Sequence, residues 1–577
     1  MKVILAKNAG FCMGVRRAVE TTLDEVRRDK KIATLGPLIH NPQVLKMLEE
    51  RGVEILREIP DQREGTVIIR AHGVPPESKS RLLQSGARVE DATCPRVLKV
   101  QAIISRHQQQ GASTVIVGDR NHAEVEGLLG FAGGRGQVVS NDEEAKALQV
   151  DAPYIIVSQT TKDNATFERI SNTIMANCPG GQVFNTICDS THKRQASVID
   201  LCSEVEAMVV VGGKESANTR RLGEIVSNHG LPVFLVETEE ELDLASLAQF
   251  SCVGVTAGAS TPSWMINRVI QVLESTPGPD ESPFASLVYK AICALMSSNI
   301  YVALGGGLLG CAADRLMNGA TSGDFFLMIF SYLFAMHNLN RFGGTGSGAF
   351  SDPVREKFKV KFRRPLLLLS WIALAFSLSI AYNNNAFSFP VLVVMSVLGA
   401  LYSLSIFPRK LPGLFRMREI REIPGSKTFF VSFAWAFIIV VVPALGGGER
   451  LDHSLIGAFL TILLLVYIRS ALYDIFELQG DRIIGKETLP VFIGRPRSLM
   501  LLYGIMIALS LMVTAGVATG WFDPLWLLLL PVLVYMFILS RLHEKDKFSY
   551  SPKLEFAVDS SFVIFALLVV AGVYLQH

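Results

Sequence analysis

The sequence predicts a protein of two parts, an α/β part with three comparable lobes followed by an all-α membrane part with about nine transmembrane helices. Near residue 280 the composition changes from short apolar runs mixed with many charges to long apolar runs. Three cysteines in the first part recur in similar strand-to-helix settings, which predicts three similar units. We therefore expect domains at 1–274 and 287–577, joined by a linker at 275–286 that is rich in Pro, Ser and acidic residues.

The charge and the cysteine content exclude several classes of protein. The formal net charge is only +2 at pH 7, which gives no general affinity for polyanions, so no nucleic acid partner is expected. The eight cysteines form no close pairs, which argues against a disulfide scaffold and for a reducing compartment. The first apolar run, at 3–6, is too short for a signal peptide.

Cys12, Cys94 and Cys188 are candidate metal ligands. They lie in similar loop-like settings, 82 and 94 residues apart, which predicts that three α/β units each deliver one thiol to a shared centre. Zinc clusters usually contain closely spaced cysteine pairs, which are absent here, whereas three lone cysteines suit an iron–sulfur cluster with one iron not ligated by the protein. On spacing alone, ordinary buried cysteines are an equal alternative.

Polar segments follow three of the predicted strands in the first part. The three strands are followed by His72, by His122 and by the segment 214–221. In open α/β sheets, groups just past the carboxyl ends of strands face the ligand crevice. We therefore expect one small polar or anionic ligand between these segments.

Three further loops are compatible with that ligand: 36–42, which contains His40, and the hydroxyl-rich loops 157–161 and 254–262. Hydroxyls and backbone N–H groups beside glycine can surround phosphate oxygens. Taken singly, each loop is more simply explained as an ordinary turn, and each histidine as one satisfied by local hydrogen bonds.

Five segments of the first part follow one another in a distinctive order: Gly-Phe-Cys-x-Gly-Val at 10–15, Ala-Thr-Cys-Pro at 92–95, His-x-Glu-Val-Glu-Gly at 122–127, Gln-Thr-Thr at 159–161 and Val-Thr-Ala-Gly-Ala-Ser at 255–260. Together they resemble the 4-hydroxy-3-methylbut-2-enyl diphosphate reductases, the LytB family, which complete the methylerythritol phosphate route to isoprenoids. The resemblance extends over about 1–275.

The resemblance implies a three-lobed iron–sulfur reductase with a [4Fe-4S] cluster held by Cys12, Cys94 and Cys188. It implies that Glu124 is the proton source, in a network with Thr160 and His122. It also implies a ferredoxin- or flavodoxin-type electron donor and a two-electron reductive dehydroxylation to isopentenyl and dimethylallyl diphosphate. The residues it assigns to binding the diphosphate substrate are His40, His72, His122, Thr160, Ser216, Asn218 and Ser260.

The first part departs from the family at one loop. The family commonly has Lys-Asn-Ser-Ser-Asn where this chain has Lys-Glu-Ser-Ala-Asn at 214–218. Because Ala217 has no side-chain donor, one diphosphate contact is expected to be missing or made by backbone. Cys178, Cys202 and Cys252 fall outside the ligand positions and are interpreted as structural.

The second part contains apolar runs long enough to cross a lipid bilayer, which takes about 20 residues each. Loops rich in Lys and Arg lie at 355–364, 409–422 and 541–547, and alternating nine spans places all of them on the cytoplasmic side. We therefore expect a multi-pass protein of the inner, cytoplasmic membrane with the reductase part in the cytoplasm. The predicted spans are 288–312, 323–339, 365–383, 388–407, 428–446, 454–473, 498–520, 524–541 and 558–575.

One predicted cytoplasmic loop of the second part carries acidic residues on one helical face, at Asp474, Glu477 and Asp481. Carboxylates so placed can hold Mg²⁺ against a diphosphate, although a polar helix end with chance acids is also compatible. The stretch resembles the second aspartate-rich motif of the UbiA-type prenyltransferases, whose nine-helix architecture also fits.

The first aspartate-rich motif of that family is missing, because the corresponding region at 337–344 has no aspartate. Asn338, Asn340 and Lys427 are left as candidates to line a cavity. Two hypotheses follow: a reductase whose membrane part anchors it or binds a prenyl lipid, or a bifunctional protein with an active Mg²⁺-dependent prenyltransferase. A third, an iron–sulfur sensor without turnover, is disfavoured by the presence of Glu124.

Overall fold

The computed structural model describes residues 1–28, 31–280, 282–319, 322–343, 353–385, 387–403, 425–447, 453–478, 481, 488–544 and 552–576. The chain divides into two compact units, Met1–Glu281 and Ser282–His577. Each unit is described by itself.

The first unit contains three separate four-stranded sheets, all parallel. Their strand orders are β1-β12-β10-β11, β3-β2-β4-β5 and β7-β6-β8-β9. This confirms the predicted α/β architecture of three comparable lobes. The strands are β1 (Lys2–Leu5), β2 (Ile32–Leu35), β3 (Val53–Leu56), β4 (Thr66–Ile69), β5 (Arg88–Asp91), β6 (Ser113–Val117), β7 (Gly136–Val139), β8 (Tyr154–Ser158), β9 (Gly181–Phe184), β10 (Ala207–Val211), β11 (Val233–Val236) and β12 (Cys252–Ala257).

Helices connect the parallel strands and cover the sheets. The central strands read as continuous apolar runs because both faces of a parallel sheet are buried, and every residue of β8 and β10 is buried. The helices are α1 (Met13–Arg28), α2 (Pro42–Glu49), α3 (Pro76–Gln84), α4 (Pro95–Gln109), α5 (Ala123–Phe131), α6 (Asp142–Ala147), α7 (Asn164–Asn177), α8 (Asp189–Cys202), α9 (Ala217–Asn228), α10 (Leu244–Leu247) and α11 (Ser263–Ser275), with a 3₁₀ turn at Glu239–Glu241.

The described part of the second unit is helical. One large apolar core runs through its helices. The helices are α12 (Pro283–Ser297), α13 (Ile300–Asn318), α14 (Gly323–Gly343), α15 (Pro353–Asn384), α16 (Ser388–Ser403), α17 (Ser426–Ala436), α18 (Val442–Gly447), α19 (His453–Phe476), α20 (Leu489–Ile493), α21 (Arg495–Ala518), α22 (Leu529–Glu544) and α23 (Pro552–Gln576), with a π-helical segment at Phe437–Val441 and a 3₁₀ turn at Pro524–Leu528.

Seven helical segments among the described residues are long and apolar enough to cross a membrane, where the sequence predicted about nine. The predicted spans at 323–339 and 388–407 have no counterpart among the seven. Helix α14 carries His337, Asn338 and Arg341 in its second half, and the apolar helix that begins at Ser388 is short.

The predicted span 288–312 is wrong as one continuous helix. Asn299 adopts a left-handed conformation with φ of +60°, and this residue separates α12 from α13. The candidate span is therefore Ile300–Asn318. The basic loop predicted at 409–422 lies outside the described residues.

Candidate functional site

The three candidate cysteines each lie at the N-terminus of a helix. Cys94 and Cys188 are the N-cap residues of α4 and α8, and Cys12 directly precedes α1. A helix N-terminus carries partial positive charge, which favours a thiolate over a neutral thiol. The sequence prediction of three strand-to-helix turns is correct for these positions.

Backbone hydrogen bonds tie each cysteine to a neighbouring loop. The N–H of Cys12 donates to the carbonyl of Ala259 at 3.1 Å, that of Cys94 to Ala71 at 3.0 Å, and that of Cys188 to Thr160 at 2.9 Å. Ala259 and Ala71 directly precede Ser260 and His72 in the chain. The cysteines are therefore fixed to the same loops that carry predicted substrate residues.

The three thiols converge. Burial raises the pKa of Cys94, and the charges of Cys12 and Cys188 raise it further, as close neighbours of the same sign do. Gly14 lies directly against Cys94, since a Cβ on Gly14 would stand 2.4 Å from the Cys94 Sγ. Three sulfur donors from three lobes fit a cluster with three protein ligands.

Arg194 supplies a positive charge beside this centre. Its side chain is buried, acts electrostatically on Cys12 and Cys188, and donates to the carbonyls of Asn8 at 2.9 Å and Gly10 at 2.6 Å. Its Nη1 atom has no hydrogen-bond partner within the described chain. A buried guanidinium with a spare donor suits a centre that carries net negative charge, as a thiolate-ligated cluster does.

Next to the cysteines, His40, His72 and His122 form one cluster. The ring centroids are 4.8 Å apart for His40 and His72, 5.7 Å for His40 and His122, and 5.4 Å for His72 and His122. Each follows a strand, so the carboxyl ends of two sheets deliver the rings to one place. The sequence prediction that strand ends converge on a ligand is compatible with this geometry.

Burial keeps the three imidazoles neutral. It lowers the pKa of His40, lowers that of His72 well below the usual range, and lowers that of His122 to about 4. His40 Nε2 and His72 Nδ1 have no hydrogen-bond partner among the described residues. One nitrogen from each of the three rings could hold a metal ion, or an N–H group from each ring could donate to an anion. The positive charge of Arg70, which acts on all three rings, favours the anion.

Glu124 lies at the start of α5, adjacent to this cluster. It is buried, and its two oxygens accept from the N–H of Thr160 at 2.7 Å and the hydroxyl of Thr160 at 2.8 Å. Burial raises the pKa of Glu124 to about 7, against the opposing effect of these hydrogen bonds. A carboxyl group with that pKa can carry and deliver a proton near neutral pH.

The remaining predicted substrate residues come from the first lobe. Ser260 donates its hydroxyl hydrogen to the His40 carbonyl at 3.0 Å, which joins the β12 loop to the histidine cluster. Ser216 is buried and Asn218 half-buried at the start of α9. Ala217, at which this chain differs from the family pattern, is the first residue of that helix. The change therefore falls at a helix N-terminus, where backbone N–H groups are available.

Sequence reasoning missed Arg70 and Arg194. Arg70 directly precedes Ala71 and His72, and its Nη2 lies 3.5 Å from Glu126 Oε2. Arg194 lies in α8, six residues beyond Cys188. The only signal in the sequence was that each arginine lies close to a predicted site residue. Arginines in such positions are usually solvated surface groups.

In the second unit, the acidic residues lie near the end of α19. The hydroxyl of Thr428 donates to Asp474, and both residues line a small cavity with Tyr467. Asp481 is buried, and its N–H donates to the Glu477 carbonyl at 2.9 Å. Residues 482–487 lie outside the described part.

Asn338 is used in helix packing. It is fully buried, accepts from Asn299 Nδ2 at 2.9 Å, and donates to the carbonyls of Ser298 at 3.1 Å and Phe334 at 3.0 Å. The amide therefore stabilises the break between α12 and α13. Lys427 is exposed at the start of α17.

A buried ion pair crosses the helices of the same unit. Arg469 Nε lies 2.6 Å from Asp559 Oδ1, and the hydroxyl of Tyr473 donates to the same carboxylate at 2.8 Å. Nearby, Arg355 pairs with Glu555 at 2.9 Å. Both acids lie on α23, so these pairs join α19 and α15 to that helix.

Comparison with known proteins gives separate results for the two units. The family described as LytB protein matches residues 3–274. The 4-hydroxy-3-methylbut-2-enyl diphosphate reductase of Pelobacter propionicus is 43% identical over 274 residues, which cover 47% of this chain and 96% of the relative. The chain belongs to the LytB family. The reductase of Nitratidesulfovibrio vulgaris is 43% identical over 283 residues, which cover 48% of this chain and 100% of the relative.

The UbiA prenyltransferase family matches residues 361–557, within the second unit of this LytB-family chain. Among solved structures, the E-1-hydroxy-2-methyl-but-2-enyl-4-diphosphate reductase of Plasmodium falciparum is similar with 26% identity and a TM-score of 0.46, over 49% of this chain and 90% of that one. A UbiA homolog from Archaeoglobus fulgidus bound to GPP and Mg²⁺ is similar with 15% identity and a TM-score of 0.36, over 49% and 98%.

Proposed function

We propose that the first unit is a 4-hydroxy-3-methylbut-2-enyl diphosphate reductase. The observation that carries the proposal is the position of Glu124, a buried carboxyl group with a pKa of about 7, beside three convergent cysteines and three neutral histidines. Membership of the LytB family supports it, since the relatives of that name are reductases of this diphosphate.

Cys12, Cys94 and Cys188 would hold a [4Fe-4S] cluster, with Arg194 balancing its charge. When bound, the cluster supplies electrons and a Lewis-acidic iron that no protein side chain ligates. Gly14 leaves the space that the Cys94 sulfur needs.

The substrate's diphosphate would be bound by His40, His72 and His122 together with Ser216, Asn218 and Ser260. A neutral imidazole keeps one N–H group that can donate to a phosphate oxygen, and Arg70 adds positive charge at the edge of the cluster. Convergent donors from all three lobes would fix the diphosphate, so the hydroxyl end of the substrate would be oriented toward the cysteines and Glu124.

Glu124 would deliver the proton that the reaction consumes at the departing oxygen. Two electrons and two protons enter, the carbon–oxygen bond breaks, the oxygen leaves as water, and a carbon–hydrogen bond forms. Thr160 holds the carboxyl group in place through both of its oxygens. The products would be isopentenyl and dimethylallyl diphosphate.

The second unit would place this enzyme in the cytoplasmic membrane, with the reductase unit in the cytoplasm, and would anchor it or bind a prenyl lipid. Seven apolar segments and the UbiA match support a membrane role. An active Mg²⁺-dependent prenyltransferase, with metal at Asp474, Glu477 and Asp481, is disfavoured because the first acidic motif is absent and Asn338 there serves packing.

The test is anaerobic turnover by the full chain in detergent, with its cluster assembled and a chemical reductant supplied. Unmodified protein is expected to convert the hydroxylated diphosphate into both five-carbon products, and Glu124→Gln to lose about 100-fold or more in kcat, as expected for loss of a general acid. Absence of turnover by protein that carries its cluster would overturn the proposal.

A further inference from the structure

Arg194 is a buried cation to which the described part of the chain supplies no carboxylate partner. Its side chain is 4% exposed, and the groups that act on it electrostatically are Cys12 and Cys188. A buried charge is costly unless it is paired and hydrogen-bonded. The counter-charge of this guanidinium is therefore expected at the sulfur atoms of these two cysteines.

One edge of the guanidinium holds a loop of another lobe. Nε donates to the carbonyl of Asn8 at 2.9 Å, and Nη2 donates to that of Gly10 at 2.6 Å. Both carbonyls belong to the segment that leads from β1 to Cys12, whereas Arg194 lies in α8, which begins directly after Cys188. One side chain thus joins the backbone before one cysteine to the helix that follows another.

The remaining nitrogen of the guanidinium points the other way. In the planar group Nε and Nη2 lie on one edge, so the bond to Nη1 is directed away from the two carbonyls. Nη1 is buried and has no hydrogen-bond partner within the described chain. A buried donor without an acceptor costs free energy, so an acceptor is expected on this side.

The three cysteine sulfurs differ in the donors that they receive from the backbone. The sulfur of Cys12 accepts from the N–H of Val15 at 3.5 Å. Backbone N–H groups in the first turn of α4 favour the thiolate of Cys94. For Cys188, no hydrogen bond to the sulfur is formed among the described residues. The spare donor of Arg194 therefore belongs to the part of the centre that has the fewest donors.

A brace between two loops would explain only half of this arrangement. It accounts for Nε and Nη2, which hold the carbonyls of Asn8 and Gly10. It accounts neither for the unused Nη1 nor for a buried charge without a carboxylate. A sulfur-ligated cluster between Cys12 and Cys188 would supply both the acceptor and the negative charge.

We propose that Nη1 of Arg194 donates a hydrogen bond to a sulfur atom of the cluster, at the edge between Cys12 and Cys188, and thereby raises the reduction potential of the cluster. The inference rests on the proposed function for the presence of a [4Fe-4S] cluster. One-electron reduction adds a negative charge to a group that three thiolates already make negative. A fixed cation and donor therefore stabilise the reduced form more than the oxidised form. Arg194 is a positioning residue for electron uptake.

The test measures the midpoint potential of the cluster in the full chain, in detergent and after anaerobic reconstitution. Dithionite is the reductant, and the titration is followed by visible absorption and by electron paramagnetic resonance. Arg194→Met removes the charge and all the donors but keeps an unbranched side chain, and Arg194→Lys keeps the charge. The matched control is Lys193→Met, which removes the same charge from the neighbouring, exposed position of α8.

For Arg194→Met we expect the equilibrium constant of one-electron reduction to fall about tenfold or more, which corresponds to a midpoint potential lower by about 59 mV or more. Arg194→Lys should recover part of that loss, because the charge is retained. Lys193→Met should change the equilibrium constant less than about twofold, since water and salt screen an exposed charge.

A second measurement needs no change to the centre. Unmodified protein is labelled with ¹⁵N only in the terminal guanidinium nitrogens of its arginines, and the reduced cluster is examined by pulsed electron paramagnetic resonance. We expect a magnetic coupling between the cluster and the labelled nitrogen, which Lys193→Met keeps and Arg194→Lys loses. This measurement decides the question even if Arg194→Met binds no iron. Absence of the coupling from unmodified protein would overturn the proposal.

Two results of the titration would also overturn it. One is an unchanged midpoint potential in Arg194→Met protein of full iron content, which would leave Arg194 as a brace alone. The other is an equal fall in Lys193→Met, which would show an unspecific effect of charge. Failure of the proposed reductase function has a different sign: unmodified protein shows the coupling and the potential but does not turn over the hydroxylated diphosphate.

Discussion

The ion pair between Arg70 and Glu126 joins the strand end that carries His72 to the helix that carries Glu124. The two side chains meet at 3.5 Å, and Arg70 Nε also donates to the Gly73 carbonyl at 3.3 Å. On its other side, Arg70 Nη1 lies so close to Gly36 that a Cβ there would stand 2.9 Å away. One guanidinium therefore contacts the segments that carry all three histidines.

Replacing Arg70 with Gln should weaken substrate binding more than it slows chemistry. The variant loses the positive charge beside the proposed diphosphate pocket and the contacts that hold the histidine loops, so we expect KM to rise about 10-fold or more. The expected change in kcat is smaller, which separates positioning from catalysis. Glu126→Gln is the matched control, because it removes the half-exposed ion pair while the guanidinium stays, and its KM should change less than threefold.

The pH dependence of turnover should report Glu124. Since burial raises its pKa to about 7, the carboxyl group is protonated below that pH and loses its proton above it. We expect kcat to fall as pH rises above about 7, and Glu124→Asp to keep a descending limb that Glu124→Gln lacks. A profile unchanged by Glu124→Gln would exclude this carboxyl group as the titrating proton donor.

The same group should make stability depend on pH. Its pKa is raised in the folded state. Its contribution to the free energy of unfolding is therefore fully present below about pH 4.5 and is lost as the pH rises through 7. The rise of the pKa from 4.5 to about 7 corresponds to a change of about 3 kcal/mol in the free energy of unfolding. Melting temperatures at pH 5 and pH 8 should therefore differ less for Glu124→Gln than for unmodified protein.

Gly14→Ala should prevent assembly of the three-cysteine centre. The added methyl group would stand 2.4 Å from the Cys94 sulfur and 2.8 Å from its Cβ, so the thiol must move away from its partners. We expect anaerobically reconstituted protein to bind little iron and to lose the visible absorption of a cluster. Gly223→Ala is the control, because its methyl group would make only an ordinary 3.8 Å contact with Val233. The iron content of this control variant should equal that of the unmodified protein.

Asp559→Asn should destabilise the second unit. It leaves the buried guanidinium of Arg469 without its charged partner, which costs about 3 kcal/mol in buried pairs. We expect a lower melting temperature in detergent, followed by the tryptophan fluorescence of this unit. Adding Arg469→Met should recover part of the loss, since no unpaired charge then remains. A double variant as unstable as the single one would show that the pair acts through more than its charge.

The sequence alone was sufficient to predict the parts of the site that depend on local sequence pattern. A short apolar run followed by a helical pattern predicts a strand-to-helix turn, and Cys12, Cys94 and Cys188 all lie at such turns. Parallel strands place their carboxyl ends at one edge, which explains why His40 and His72 meet, since they follow the neighbouring strands β2 and β4.

Other features depend on contacts between distant residues. The break at Asn299 was not predicted, although the polar residues at 297–299 interrupt the apolar run 288–312. The structure pairs Asn299 with Asn338, 39 residues away. Arg194 and Arg70 look like solvated surface residues until the fold buries one beneath the cysteines and places the other between three loops.

The pairing of β1 with β12 imposes an order on folding. The second and third sheets are each built from contiguous stretches, 32–91 and 113–184, and can form as those stretches leave the ribosome. The first sheet must wait for Cys252–Ala257, because that strand lies between β1 and β10. Cys12 follows β1 and is fixed to Ala259, so its thiol reaches its final place after the other two. We therefore expect the three-thiol centre to be completed only after residue 259 has been made and this long-range strand pair has closed.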